Sequence, residues 1–199
     1  MRNYFVLCLL IFIGSISFSQ NKHIQLTNGL IVAQLDRPEE KFTLEINLAE
    51  LFANEGVQVI PSLNILKQGE IASILASDSI IGSLKSKNVD TYILVSVRGF
   101  DKNFKPSTHF ESLANELASS HLFPLFRDEI MSITFEFTFY RNGQVIANEL
   151  LRLKNVDSKD KVMKKLRKKL PKFISKWKVW YFVETQCIVS LQNITLYPR

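Results

Sequence analysis

Cysteine is almost absent: Cys8 and Cys187 are the only two among 199 residues. Cys8 lies inside the N-terminal apolar run, so a chain that sheds that run keeps a single thiol. Neither an intramolecular disulfide nor a paired-cysteine metal site can then form. Glycine is scarce as well, and none of the seven stands in a phosphate-cradling spacing. That removes the common nucleotide-binding loops. The three histidines, His23, His109 and His121, do not form an H-E-x-x-H pattern, and no serine occupies a G-x-S-x-G elbow. Long apolar runs are missing beyond the first nineteen residues. Segments 88–98 and 123–140 are apolar but interrupted by charges, so neither reads as a membrane span.

What is present at the N-terminus is an address. Arg2, an unbroken apolar run over 4–13 and then small residues have the layout of a secretory signal peptide. Ser17 and Ser19 flank Phe18 as signal peptidase requires, which places cleavage between Ser19 and Gln20. The alternative is an uncleaved anchor, but ten apolar residues fall short of the roughly 20 that cross a bilayer as a helix. Phe5, Val6 and Leu7 precede Cys8 where a lipoprotein signal has a small residue, so no lipid anchor is expected. Export weighs against kinases, nicotinamide enzymes and gene regulators, because it leaves the cytoplasm behind. The expected division is a signal peptide over 1–19, one α/β domain over 20–177 and a tail over 178–199 that adds at most an edge strand. The expected location is the periplasm or the outer-membrane periphery, or outside the cell.

Without Arg2 the chain carries 24 Lys and Arg against 19 Asp and Glu, a net of +5. That charge is concentrated. Between Lys159 and Lys178 ten basic residues face only Asp160, giving +9, so the remainder nets −4. Val162, Leu166, Leu170, Phe173 or Ile174, and Trp177 recur there at helical spacing, with Asp157 or Ser158 able to cap the start. Pro171 predicts a kink or a restart. Lys161, Lys164, Lys165, Lys168, Lys169, Lys172 and Lys176 are the candidate contacts for an anionic membrane or cell-wall surface; the plainer reading is a solvated face. Nucleic acid is not expected as a partner, because export leaves the cytoplasm and no exposed-looking aromatics are interleaved among the lysines. Trp177, Trp180, Tyr181 and Phe182 are either core or an interfacial belt, with core the more economical reading.

Along the chain, 29–35 reads as a buried strand, 39–54 as a helix ended by Gly56, and 57–63 as a second strand interrupted by Pro61. A helix follows over 70–87, broken near Ser77 to Ser79, with Ile71, Ile74, Leu75, Ile80, Ile81 and Leu84 inward. Residues 91–97 (TYILVSV) form the strongest strand, apolar on both faces as a central strand is. Residues 100–129 lack a clear period and read as a long connection with a short helix over 111–119. Residues 130–140 alternate, with Ile133, Phe135, Phe137 and Phe139 on one face; Asn142-Gly143 turns the chain and 145–153 returns as a hairpin. The predicted fold class is α/β (α+β): one domain with a mixed sheet of about five strands against two to four helices, in the order β-α-β-α-β, long connection, β-β-α.

This order, together with NVDTYILVSVRGFDKN and SITFEFTFYRNGQVIANE, resembles bacterial envelope domains of the TolB N-terminal and curli-secretion-lipoprotein type. Gly56-Val57, the run from Val89 to Val95, and Asn142 to Val145 occupy the matching places over about 30–177. The chain departs from that pattern in lacking a lipobox and in the length of 100–129. The resemblance implies a non-catalytic envelope domain that engages a protein partner.

Candidate chemistry is sparse. His109, Glu111, His121 and Asp128 fall in the long connection and allow an imagined metal or acid-base site, which would make the chain a hydrolase or metal-dependent enzyme; solvated loop histidines are the commoner outcome. Asp90, just before a strand, reads as a turn or cap residue. Cys187 reads as a half-buried strand thiol. No cofactor is expected. The leading expectation is an exported domain acting through protein contact, followed by a peripheral binder of anionic surfaces through 159–178.

Overall fold

The computed structural model describes residues 24–67, 69–119, 121 and 123–178. The export segment with its Ser19/Gln20 cleavage site, and the tail with Trp180 and Cys187, lie outside the described residues. The elements run β1 (Asn28–Gln34), α1 (Pro38–Asn54), β2 (Gln58–Pro61), a 3-10 turn (Ser62–Asn64), a second 3-10 turn (Ala72–Ala76) and α2 (Asp78–Ser86). They continue with β3 (Thr91–Phe100), α3 (Leu113–Ala118), β4 (Ser132–Arg141), β5 (Gln144–Lys154) and α4 (Lys159–Lys178). The five strands form one mixed sheet in the order β2-β1-β3-β4-β5. β1 is parallel to both neighbours, whereas β3, β4 and β5 form an antiparallel meander. The α+β fold class read from the sequence is therefore the observed one.

The sheet is covered on both faces, which explains why β3 is apolar on both. Ile93, Val95 and Val97 join Phe135, Phe137 and Phe139 of β4 beneath α1 and α4. Tyr92, Leu94 and Tyr140 lie on the other face against Leu75, Leu84, Leu113 and Leu117. Period-2 alternation sends successive residues to opposite layers, so two distinct apolar sets need two coverings. The hairpin closes on Asn142 and Gly143 with φ of 51° and 74°, the primed turn that matches strand twist.

Four local expectations are corrected. Ile71 and Ile74 were expected inward but are 68% and 37% exposed. A 3-10 turn eclipses positions three apart, so over 72–76 only Leu75 enters the core, not the whole stripe a 3.6 period draws. The second strand spans Gln58–Pro61 and not 57–63, because Pro61 ends the ladder opposite Ile31 with no donor to continue it. The short helix is Leu113–Ala118, capped by Ser112, whose Oγ accepts from Asn115 N at 3.3 Å. Finally, α4 runs through Pro171 as one helix with no restart. Its buried stripe, Val162, Leu166, Leu170, Ile174 and Trp177, lies on both sides of the proline, and that packing keeps both halves on the sheet.

The long connection is tied down at several points. Asp101 Oδ1 accepts from the amides of Met131 and Ser132 at 2.7 and 3.0 Å. Ser107 Oγ donates to Glu136 at 2.9 Å, Tyr140 Oη to the Glu111 carbonyl at 3.2 Å, and the Leu125 amide to Glu40 at 2.6 Å. These bonds fold the segment back over the sheet.

Candidate functional site

The basic helix α4 starts as expected: Ser158 Oγ accepts from Lys161 N at 3.3 Å, and Asp160 sits in the first turn. Its ten cations divide sharply. Lys159 pairs with the buried Glu40, and Lys161 with Asp157. Arg167 reaches Asn47 and Glu50 of α1, and Lys178 donates to the Glu55 carbonyl. On the opposite flank Lys165 donates to the Lys154 carbonyl, Lys169 to that of Arg152 at 3.0 Å, and Lys176 meets Glu149 at 3.4 Å. Of the seven candidate lysines, then, Lys161, Lys165, Lys169 and Lys176 have partners within the protein. Lys164, Lys168 and Lys172 have none among the described residues, and all three are exposed. Trp177 is core, 2% exposed, which settles its place between the two sequence readings.

β5 closes the sheet, with β4 its only neighbour among the described strands. The lysine contacts from α4 fall on the last carbonyls of this strand. Lysines placed over an edge are a recurrent way of blunting it. Over 145–150 the side chains are half-buried, and among the described residues no lysine reaches a backbone carbonyl there, Lys176 meeting only the Glu149 side chain.

At the carboxyl end of β1 a different feature emerges. The connection after β1 covers one face and the connection after β2 the other, and open sheets leave a crevice at such a switch point. Here the cavity is about 450 Å³ and is lined by Gln34, Asp36, Lys41, Ile71, Ser73 and His121, among others. Gln34 Nε2 donates to the Glu116 carbonyl at 3.0 Å, which fixes the crevice wall. Burial holds the His121 imidazole below the usual histidine range, and the nearby Lys41 charge adds to it, against a hydrogen bond to the Glu116 backbone. The sequence reading drew attention to His121 but not to Lys41 or Asp36, which come from other elements.

His121 yields a pH prediction. A histidine whose folded pKa is depressed contributes stability that is fully present above the unfolded value near 6.5 and is lost as pH falls from there through the folded pKa. The imidazole signals of His121 should titrate with a midpoint below 6.5 in a ¹H–¹³C spectrum of the folded chain, and a midpoint at or above 6.5 would contradict the burial argument.

The other candidates do not converge. His109 is exposed, Glu111 accepts from Asn115 Nδ2 at 3.2 Å, and Asp128 is exposed in a turn. Among the described residues no group of three His, Cys, Asp or Glu side chains is placed to hold a metal ion. Asp90 is structural: it accepts from Thr91 Oγ1 at 2.7 Å and pairs with Arg141 at 3.3 Å, tying the start of β3 to the end of β4. Two acids hidden within α1 serve the scaffold. Glu40 joins Leu125 and Lys159, while Glu45 accepts from Ala33 N, Ser62 Oγ and Leu63 N at 2.9, 2.7 and 3.3 Å.

No protein-family model matches this chain, and no curated protein does. Among solved structures it is similar to a PelC dodecamer from Paraburkholderia phytofirmans, at 10% identity over 78% of this chain and 89% of that one, with a TM-score of 0.40. A variant PelC dodecamer from the same organism gives 12% identity, 74% and 87% coverage and a TM-score of 0.39. Lipoprotein GNA1162 from Neisseria meningitidis gives 12% identity, 75% and 98% coverage and a TM-score of 0.40. These likenesses concern the arrangement of elements, and none of them assigns a function. Among the described residues no helix is long and apolar enough to cross a membrane.

Proposed function

We propose that this chain is an exported, non-catalytic domain of the bacterial cell envelope that works by contact with a protein partner. The observation that carries the reading is the edge of β5. It is an 11-residue strand with one described neighbour; lysines reach its backbone only at the Arg152 and Lys154 carbonyls, and Lys176 reaches the Glu149 side chain. An extended segment of a partner can continue the ladder over 144–150, where backbone groups supply affinity and alternate side chains supply selection. The N-terminal export signal and the resemblance to TolB-type and curli-secretion envelope domains point the same way.

A photo-crosslinking amino acid at Ala147, introduced in cells, should give a discrete protein adduct. Asn148→Pro should abolish it, because proline removes a donor and breaks the strand geometry. The same crosslinker at Lys85, on the helix covering the other face, should give none. Absence of an adduct at Ala147, or an adduct unaffected by proline, would count against strand addition. Substrate turnover lost in His109→Ala or His121→Ala would overturn the non-catalytic reading.

A further inference from the structure

A basic helix invites the idea that its own apolar stripe enters a membrane. That arrangement is ruled out here, because Val162, Leu166, Leu170, Ile174 and Trp177 are spent on the sheet. The outer surface of the helical layer has a different source of apolar groups. Phe42 and Ile46, one turn apart on α1, are 55% and 44% exposed and point away from the buried Leu44, Leu48, Leu51 and Phe52.

α1 and α4 lie side by side and run the same way. Glu40 meets Lys159, Asn47 and Glu50 meet Arg167, and Glu55 meets Ser175 at 3.0 Å. Thr43 and Asn47 share a groove with Met163, Lys164 and Arg167. The outward side of α1 and the outward side of α4 therefore form one surface. It carries two aromatic or aliphatic side chains next to Lys164, Lys168 and Lys172, which recur every four residues over about 12 Å. The acids on the layer are Glu39, Glu50 and Asp160, with Glu50 turned to Arg167. α4 carries +9 and α1 carries −3, so the pair nets +6.

We propose that this α1/α4 face rests on an anionic phospholipid bilayer, with Phe42 and Ile46 entering the headgroup boundary and the row Lys164, Lys168 and Lys172 lying over lipid phosphates. The three lysines have no partner among the described residues and are exposed. Phosphate alone does not account for two large apolar groups held in water beside them, whereas a bilayer interface accepts both chemistries at once. The inference is independent of the strand edge, which belongs to another side of the domain.

Sedimentation with vesicles decides it, using the chain from Gln20 to Arg199. Vesicles of phosphatidylcholine with 30% phosphatidylglycerol should carry the protein down at low salt, and phosphatidylcholine alone should not. Binding should fall in 0.5 M NaCl, where screening shortens to a few Å. Lys164→Gln, Lys168→Gln and Lys172→Gln together should weaken partitioning roughly 100-fold, on the order of fivefold per lysine. Phe42→Ser with Ile46→Ser should weaken it about 10-fold or more through lost apolar burial. Lys102→Gln with Lys105→Gln, on the long connection, should change nothing. All these positions are exposed, and circular dichroism confirms folding of each variant. Failure to sediment at low salt, or equal binding to both vesicle types, overturns the proposal. So does a lysine effect without a Phe42 and Ile46 effect, which would reduce the contact to charge alone with no apolar entry into the bilayer.

Discussion

Replacing Trp177 by alanine should lower the free energy of unfolding by about 3–5 kcal/mol, the range for truncating a large buried aromatic. The indole sits on Phe52 at 6.0 Å in a stacked geometry and meets Phe137, Phe139 and Phe173 at 5.3, 4.9 and 6.1 Å. These rings come from α1, β4 and α4, so the cavity would open where three elements meet and could not collapse onto one neighbour. The backbone is engaged as well, since the Trp177 carbonyl accepts from Leu26 N at 3.1 Å. Trp177→Phe provides the control. The indole Nε1 is buried with no partner among the described residues, so phenylalanine removes that donor while leaving a smaller void. It should cost less than half as much as alanine. Urea titration followed by circular dichroism measures both, and an alanine cost below about 1 kcal/mol would refute the central role of this ring.

Glu45→Ala should cost about 2–4 kcal/mol, because it strands Ala33 N, Ser62 Oγ and Leu63 N in a region shielded from water. The requirement arises from topology. β2 ends at Pro61 opposite Ile31, so β1 continues past it, and beyond Ile31 its β2 side has no strand to pair with, although Ala33 still lies opposite Val95 of β3. A carboxylate reaching down from α1 replaces the missing ladder. Burial pushes the Glu45 carboxyl up from the ordinary range, against the lowering effect of Ser62, Ala33, Leu63 and Lys41. The sign follows from linkage: an acid with a raised folded pKa takes up its proton more readily when folded, so stability rises as pH falls from that pKa toward the unfolded value and is lost going upward. Glu45→Gln removes this dependence while keeping one acceptor oxygen. The stability of the native chain relative to Glu45→Gln should therefore increase as pH is lowered through the Glu45 titration. A difference that is flat with pH would show that folding does not raise the Glu45 pKa.

The cationic element was legible before the structure, but not which of its charges are paired. Ten basic residues against one acid identify α4 as the cationic element from composition alone. Which of them are free depends on what lies alongside: the β5 carbonyls take Lys165 and Lys169, and α1 takes Arg167. Those partners are 11 to 120 residues away in sequence, beyond any local pattern. Phe42 and Ile46 look like core residues because they share a helix with Leu44 and Leu48, and only the position of that helix in an outer layer leaves them in water. Lys41 and His121 are likewise joined across the crevice by the crossing of two connections, not by spacing.

The sequence by itself determined the element order, the central place of 91–97, the Asn142-Gly143 hairpin and the location of charge. These are local consequences of side-chain period, turn stereochemistry and charge count, each readable within a dozen residues. Tertiary structure decided that Pro171 would be carried through a continuous helix, that Ile71 and Ile74 would face solvent, and that two acids of α1 would be buried. It also left three of the seven candidate lysines without a partner among the described residues. Such outcomes follow from which elements are adjacent, because burial and pairing are properties of a neighbour and no single segment encodes its neighbour.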